Sequence, residues 1–262
     1  MSSFTFEDVG RPVAIIKGGK GTNKKIYLAS KEESEAIEHP KKDYMIVDSG
    51  KFQPLPNFEK EREIGYITGC SGAGKSHYTK NYIIEYKKKY KDRPVYIFSA
   101  LKEDETLDSL KYLQRIRIDG SLISNPLGID DFVECITIFD DIDVIADKHM
   151  RDAVYKLLNE ILQTGRHTKT TCLITNHLAT NGKDTKIILN ESHFITFFIG
   201  SGSSKGITYL LDRYLGLDSK TIKKIKKISK DSRWTTINTM NPQFLLNEKW
   251  CYLLSSLDDD DE

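Results

Sequence analysis

Apolar and polar positions along this chain repeat with two different periods, and the order in which those periods succeed one another predicts the fold. From Glu59 onward, apolar runs of strand length cover 64–68, 94–98, 136–139, 171–175 and 194–200. Stretches of helical spacing lie between them, at 77–89 and at 150–164, where Ala153, Val154, Leu157, Leu158, Ile161 and Leu162 share one face. Strands alternating with helices predict an α/β domain with a largely parallel sheet and crossover helices. Between them, 99–112 reads as a polar loop that becomes a helix, and 115–118 as a short strand. Residues 1–58 read differently. Apolar runs at 13–16 and 25–28 flank Gly18-Gly19-Lys20-Gly21-Thr22-Asn23, which predicts a hairpin. A short polar helix over 30–38 and a strand over 44–47 come next, and Pro54 and Pro56 mark a linker. Beyond 200 come a polar loop over 201–206, helices over 209–217 and 219–230, and strands over 234–238 and 249–254. The expected organisation is a small β-rich N-terminal extension over 1–58, an α/β domain over 59–257, and a solvated acidic tail over 258–262.

Composition narrows this little. The chain has 262 residues, 39% hydrophobic and 29% charged, with a net charge of +1, so any basic site has to be local. Cys70, Cys135, Cys172 and Cys251 form no C-x-x-C pair, which argues against a zinc site or a disulfide framework and for a reducing compartment. The N-terminal residues lack a signal-peptide pattern, and no apolar run approaches eighteen residues, so a soluble protein without a membrane partner is expected.

Candidate chemistry changes the picture more. Gly69-Cys70-Ser71-Gly72-Ala73-Gly74-Lys75-Ser76 has the form G-x-x-x-x-G-K-[ST] and stands between a predicted strand and a predicted helix that opens with His77. That context makes it a phosphate cradle: glycines let backbone N–H groups converge on phosphate oxygens, and the helix N-terminus adds its positive end. Lys75 is expected on the β- and γ-phosphates of ATP and Ser76 on Mg²⁺. A second signal is Ile136-Thr137-Ile138-Phe139-Asp140-Asp141-Ile142-Asp143, an apolar strand ending in acids. Asp140 is expected to hold Mg²⁺ and Asp141 to activate water, while Asp143 reads as a cap for the next helix or as a partner in that role. Asn176, at the end of the 171–175 run, is the candidate γ-phosphate sensor; His177 reads as an exposed loop residue. The Gly18–Gly21 segment has neither the G-K-[ST] spacing nor a helix behind it, so it reads as a turn. The 219–230 helix carries Lys220, Lys223, Lys224, Lys226, Lys227 and Lys230 around Ile222, Ile225 and Ile228. Two readings of it stand: a face for DNA phosphates, or a solvated surface helix.

Taken in order, the 64–76 segment, Ile138-Phe139-Asp140-Asp141-Ile142, and Thr164-Gly165-Arg166-His167 before the strand ending in Asn176-His177 resemble the genome-packaging ATPases of poxviruses, other nucleocytoplasmic large DNA viruses and virophages. These belong to the FtsK–HerA superfamily, and the resemblance covers roughly residues 50–200. It implies a RecA-like P-loop core, a homo-oligomeric ring (hexameric or pentameric), and ATP hydrolysis that drives double-stranded DNA, with a capsid protein as a further partner and a host cytoplasm or virus factory as the setting. It also implies an arginine supplied by a neighbouring subunit, for which Arg166 is the first candidate, ahead of Arg213 and Arg233. Two departures stand out: Asp140-Asp141 replaces the common Asp-Glu, and Asn176 replaces a common Gln. A small P-loop kinase and a nucleotide-gated assembly module remain as alternatives. Against the kinase, no arginine comes after Asp140-Asp141-Ile142-Asp143 until Arg151, and no arginine-rich lid is evident.

Overall fold

The expected hairpin forms where the two N-terminal apolar runs lie. Strands β1 (Ser3–Thr5), β2 (Arg11–Lys17), β3 (Lys25–Ala29), β4 (Tyr44–Ile46) and β5 (Lys51–Pro54) open the chain, and four of them make an antiparallel sheet in the order β1-β3-β2-β5. The computed structural model describes residues 2–39, 42–201 and 203–257. The chain divides into two units, one of Lys60–Ile195 and one of Met1–Glu59 with Thr196–Glu262.

The Lys60–Ile195 unit contains the predicted alternation. It runs β6 (Ile64–Thr68), α1 (Lys75–Lys89), β7 (Val95–Ser99), β8 (Leu113–Arg117), α2 (Ser121–Ser124), β9 (Ile136–Asp140), α3 (Lys148–Thr164), β10 (Thr171–Asn176) and α4 (Lys183–Glu191). Its five strands are all parallel, in the order β6-β10-β9-β7-β8. β6, β9 and β10 are buried at every position, which explains why they read as continuous apolar runs rather than alternating ones. The predicted face of α3 is buried through Val154, Leu157, Leu158, Ile161 and Leu162. Arg62 closes the far end of that helix by donating to the carbonyls of Ile161 (2.7 Å) and Leu162 (2.8 Å), two of its orphan acceptors.

The chain leaves this unit along β11 (Phe194–Phe197). The other unit then adds α5 (Ser204–Arg213), α6 (Ser219–Ile228), β12 (Thr235–Asn238), β13 (Phe244–Asn247) and β14 (Trp250–Leu253). β12, β13, β14 and β4 pair antiparallel in that order. N-terminal and C-terminal residues therefore share a core in which Phe4, Ile16, Ile26 and Phe52 lie with Phe244, Leu246 and Cys251. The fold class is α/β, a mostly parallel sheet flanked by helices with a small antiparallel sheet near the N-terminus.

Some local expectations need correction. No helix forms over 99–112: Asp104 accepts from the N–H groups of Thr106 and Leu107 as an N-cap does, and Asp108 N–H donates to the Asp104 carbonyl, yet the chain continues only as turns up to β8. α5 begins inside the expected 201–206 loop because Ser203 caps it by accepting from Gly206. Asp143 does not cap α3; Asp147 does, accepting from Met150. α4, β5 and β13 are elements that the sequence pattern does not predict. The acidic 258–262 run lies outside the described residues.

Candidate functional site

Parallel register builds the site. β7, β9 and β10 pair so that Ser99 and Thr175 flank Asp140, and Asn176 stands beside Thr68 of β6. Polar residues that end four adjacent strands thus share one edge of the sheet, the carboxyl edge at which open α/β sheets bind ligands. The glycine loop leaves β6 at this edge. Its first N–H, that of Gly69, donates to the Asn176 carbonyl at 3.1 Å. Gly72 and Gly74 then turn the loop with φ of 75° and 114°, in a region that side chains with a Cβ avoid. A Cβ at Gly72 would meet nothing within 4 Å, so the glycine is required by backbone conformation and by what approaches from outside. α1 starts at Lys75 with Gly74 as its N-cap and no side-chain cap. The first N–H groups of α1, those of Lys75, Ser76 and His77, have no acceptor within the helix, which is the arrangement that receives an anion. Cys70, Ser71 and His77 are exposed, whereas Ala73 and Lys75 are buried.

Lys75 Nζ lies 3.0 Å from the Gly69 carbonyl and 3.2 Å from Asp141 Oδ1. Asp140 is 2% exposed; its Oδ1 accepts from Thr175 Oγ1 at 2.8 Å and its Oδ2 from Ser99 Oγ at 3.1 Å. Burial, and after it the neighbouring Asp141 carboxylate, push Asp140 above the ordinary carboxylate range, while the two hydroxyl bonds pull it back. Asp141 sits in the left-handed region (φ 48°, ψ 40°), held by its N–H to both the carbonyl and the hydroxyl of Thr175. A strained non-glycine residue at this point aims its carboxylate back at Lys75 instead of along the chain. Ser76 Oγ donates to Asp104 Oδ2 at 2.8 Å.

A hydroxyl and a buried carboxylate at the loop edge make an all-oxygen donor set suited to a hard cation such as Mg²⁺, and the uncapped α1 terminus with Lys75 suits the phosphates of ATP. The structure therefore brings together Gly69–Ser76, Asp140, Asp141 and Asn176. Asn176 is fully buried, its Nδ2 reaching the Tyr66 hydroxyl at 3.4 Å and its Oδ1 having no hydrogen-bond partner among the described residues. Arg166 lies elsewhere in the unit. It is exposed in the turn between α3 and β10, at the amino edge of the sheet, a full strand length from the loop. Arg213 and Arg233 belong to the other unit, Arg213 paired with Asp212 at 3.3 Å.

Three residues escape a reading of the sequence alone. His177 is no plain loop residue: Nε2 is 3.5 Å from Asp141 Oδ2, Nδ1 is 3.5 Å from Asp143 Oδ1, and its N–H donates to Asp143 Oδ2 at 2.9 Å. The one signal for it is its place directly after the candidate sensor. Asp104 carries no local signal, since its link to Ser76 spans 28 positions. Thr175 reads only as strand, though the register places it beside Asp140.

No family model matches the chain. It is 44% identical over 241 residues, 91% of its own length and 93% of the relative's, to the uncharacterized protein V3 of Sputnik virophage. Among solved structures, the cytoplasmic domain of the Type VII secretion ATPase EccC of Thermomonospora curvata is similar with a TM-score of 0.51 and 12% identity, over 79% of this chain and 28% of that one. The genome packaging NTPase B204 of Sulfolobus turreted icosahedral virus 2 is similar with a TM-score of 0.49 and 15% identity, over 72% of this chain and 98% of that one. At 12% identity the likeness to EccC is one of fold.

Proposed function

This chain belongs to the family of the Sputnik virophage protein V3 and has the fold of the FtsK–HerA P-loop ATPases, and we propose that it is an ATP-driven motor that moves double-stranded DNA, packaging a viral genome into a capsid. The observation that carries the reading is the position of Lys75, shared between the loop carbonyl of Gly69 and Asp141, one residue from buried Asp140 and at the uncapped start of α1.

In this reading Gly69–Ser76 hold the phosphates, and Ser76 and Asp140 hold Mg²⁺, with Ser76 exchanging its bond to Asp104. Bound MgATP supplies the electrophilic phosphorus and neutralises its charge. A γ-phosphate on Lys75 competes with Asp141 for the ammonium, so nucleotide binding frees Asp141 to accept a proton from the attacking water. Thr175 donates to Asp140 and accepts from the Asp141 N–H, so it links the two acids, and His177 holds Asp141 from its far side. Asn176, whose backbone carbonyl accepts from the Gly69 N–H at the loop, is the γ-phosphate sensor in this reading. Arg166, at the opposite edge of the sheet from its own loop, is assigned the trans role, on the site of a neighbouring copy in a ring.

Stimulation of ATP hydrolysis by duplex DNA, weakening as salt rises, tests the reading, with the oligomeric mass measured alongside. Stimulation by a small acceptor and not by DNA would transfer the assignment to a kinase.

A further inference from the structure

We infer that one face of α6 is a contact surface for the phosphate backbone of duplex DNA; the inference rests on the motor reading above. Residues 219–230 contain six lysines and no acid, in a chain whose whole net charge is +1. The structure sorts those lysines into two kinds. Lys224 donates to the Leu257 carbonyl at 2.6 Å, and Lys226 to Ser204 Oγ at 2.9 Å and Thr208 Oγ1 at 2.6 Å, so these two are spent within the unit. Lys223, Lys227 and Lys230 are exposed; Lys220 is exposed as well and has an interaction of its own. At 3.6 residues per turn, Lys220, Lys223 and Lys227 fall within an arc of roughly 60°, and Lys230 comes in the next turn. Thr221, Ile222 and Ile225 occupy the opposite side and are buried, which locks the helix rotation and keeps the lysine face outward.

Three described acids of the same unit have partners of their own. Asp218 is the N-cap of α6, accepting from Lys220 and Thr221 N–H groups. Asp212 pairs with Arg213, and Glu248 binds Lys51 and the Arg233 N–H. Like charges three and four positions apart on a helix repel, so a lysine stripe without interleaved acids is unfavourable until a polyanion meets it. Lys220 to Lys227 span about 10 Å of axis, the length over which one DNA strand carries about three phosphates. A spacing of this kind positions a duplex without reading its sequence.

The test is duplex-DNA affinity against salt for wild type and for Lys223→Gln/Lys227→Gln/Lys230→Gln, with hydrolysis followed in parallel. Each lost phosphate contact removes about 0.9 from the slope of log K against log salt, so the triple variant should lose between about 2 and 3 in slope and roughly a hundredfold in affinity at 0.1 M salt. Its DNA-free hydrolysis should be unchanged, and the corresponding triple Arg variant should retain affinity. Lys224→Gln, which removes an internal bond, should lower thermal stability and leave the slope alone. Wild type that binds DNA while the triple Gln variant keeps slope and affinity overturns the α6 assignment only. Wild type that neither binds duplex DNA nor is stimulated by it overturns the motor reading.

Discussion

The chain carries two glycine- and lysine-rich loops, one in each unit, and only one has the features of an anion site. In 18–23, Gly18 and Gly19 have φ of 73° and 70°, close to the 75° of Gly72 in 69–76. Composition and backbone freedom therefore do not separate them. The element that succeeds each loop does. The N-terminal loop returns into a strand, and its polar groups are spent at once: Thr22 N–H and hydroxyl donate to Gly19 O, Asn23 N–H to Ile16 O and Lys24 N–H to Gly21 O. The second loop runs into α1, whose first N–H groups have no acceptor in the helix, with Lys75 buried beside them. Glycine lets a loop turn tightly; a free helix start gives it something to bind.

Removing the lysine of each loop should break the comparison most sharply. Lys75→Ala should lower hydrolysis by about 10³-fold or more, whereas Lys20→Ala should leave it unchanged; steady-state turnover of the two proteins is the check. Near-normal turnover in Lys75→Ala would remove the phosphate-loop assignment. In the same assay, mixing Lys75→Ala with Arg166→Ala should restore part of the activity, because intact loop and intact arginine then meet across subunits. No recovery at any ratio counts against Arg166 in trans.

Glycine substitution should separate the loops in opposite ways. A Cβ at Gly19 would lie 2.3 Å from Ser49 Oγ and 2.5 Å from the Ser49 carbonyl carbon, so Gly19→Ala should cost roughly 2–4 kcal/mol of stability with ATP affinity unchanged. Gly72→Ala meets open space and should cost only about 1–2 kcal/mol, yet weaken ATP binding tenfold or more. Denaturant unfolding paired with nucleotide titration measures both.

A smaller effect concerns the unit that holds the second loop. Burial, with Arg62 and Lys60 adding repulsion, lowers the pKa of His193 to about 4, and its Nδ1 accepts from the Ile64 N–H at the start of β6. The folded state thus holds His193 neutral while the unfolded chain takes up a proton near pH 6.5. Its contribution is complete above about pH 6.5 and is lost as pH falls toward 4, by at most about 1.4 kcal/mol per unit and roughly 3 kcal/mol in all. His193→Asn, which keeps an acceptor without the titration, should flatten the fall in stability between pH 7 and pH 5.

The local sequence is enough for elements whose pattern is self-contained. β6, β9 and β10 read as apolar runs up to their polar ends because every position is buried, and α3 shows its buried face at helical spacing. The loop motif and the paired acids of Asp140-Asp141 are legible for the same reason, since each is a short run beside a strand. Other features depend on residues far apart in the chain. Asp104 reaches Ser76 across 28 positions, a link that no local pattern announces. His177 gains its place between Asp141 and Asp143 only when β10 pairs with β9 in one register. Six lysines within twelve residues are visible in the sequence, but which of them face outward depends on Ser204, Thr208 and Leu257.

Sequence by itself determined the periodicities, the strand-loop-helix context of Gly69–Ser76, and the acids that end β9, because these depend on neighbours within a few positions. Tertiary structure alone decided that Lys75 pairs with Asp141, that Ser99 and Thr175 brace Asp140, and that Arg166 stands at the opposite edge from its own loop. Strand order and register set those distances, and they arise from contacts between segments up to a hundred residues apart.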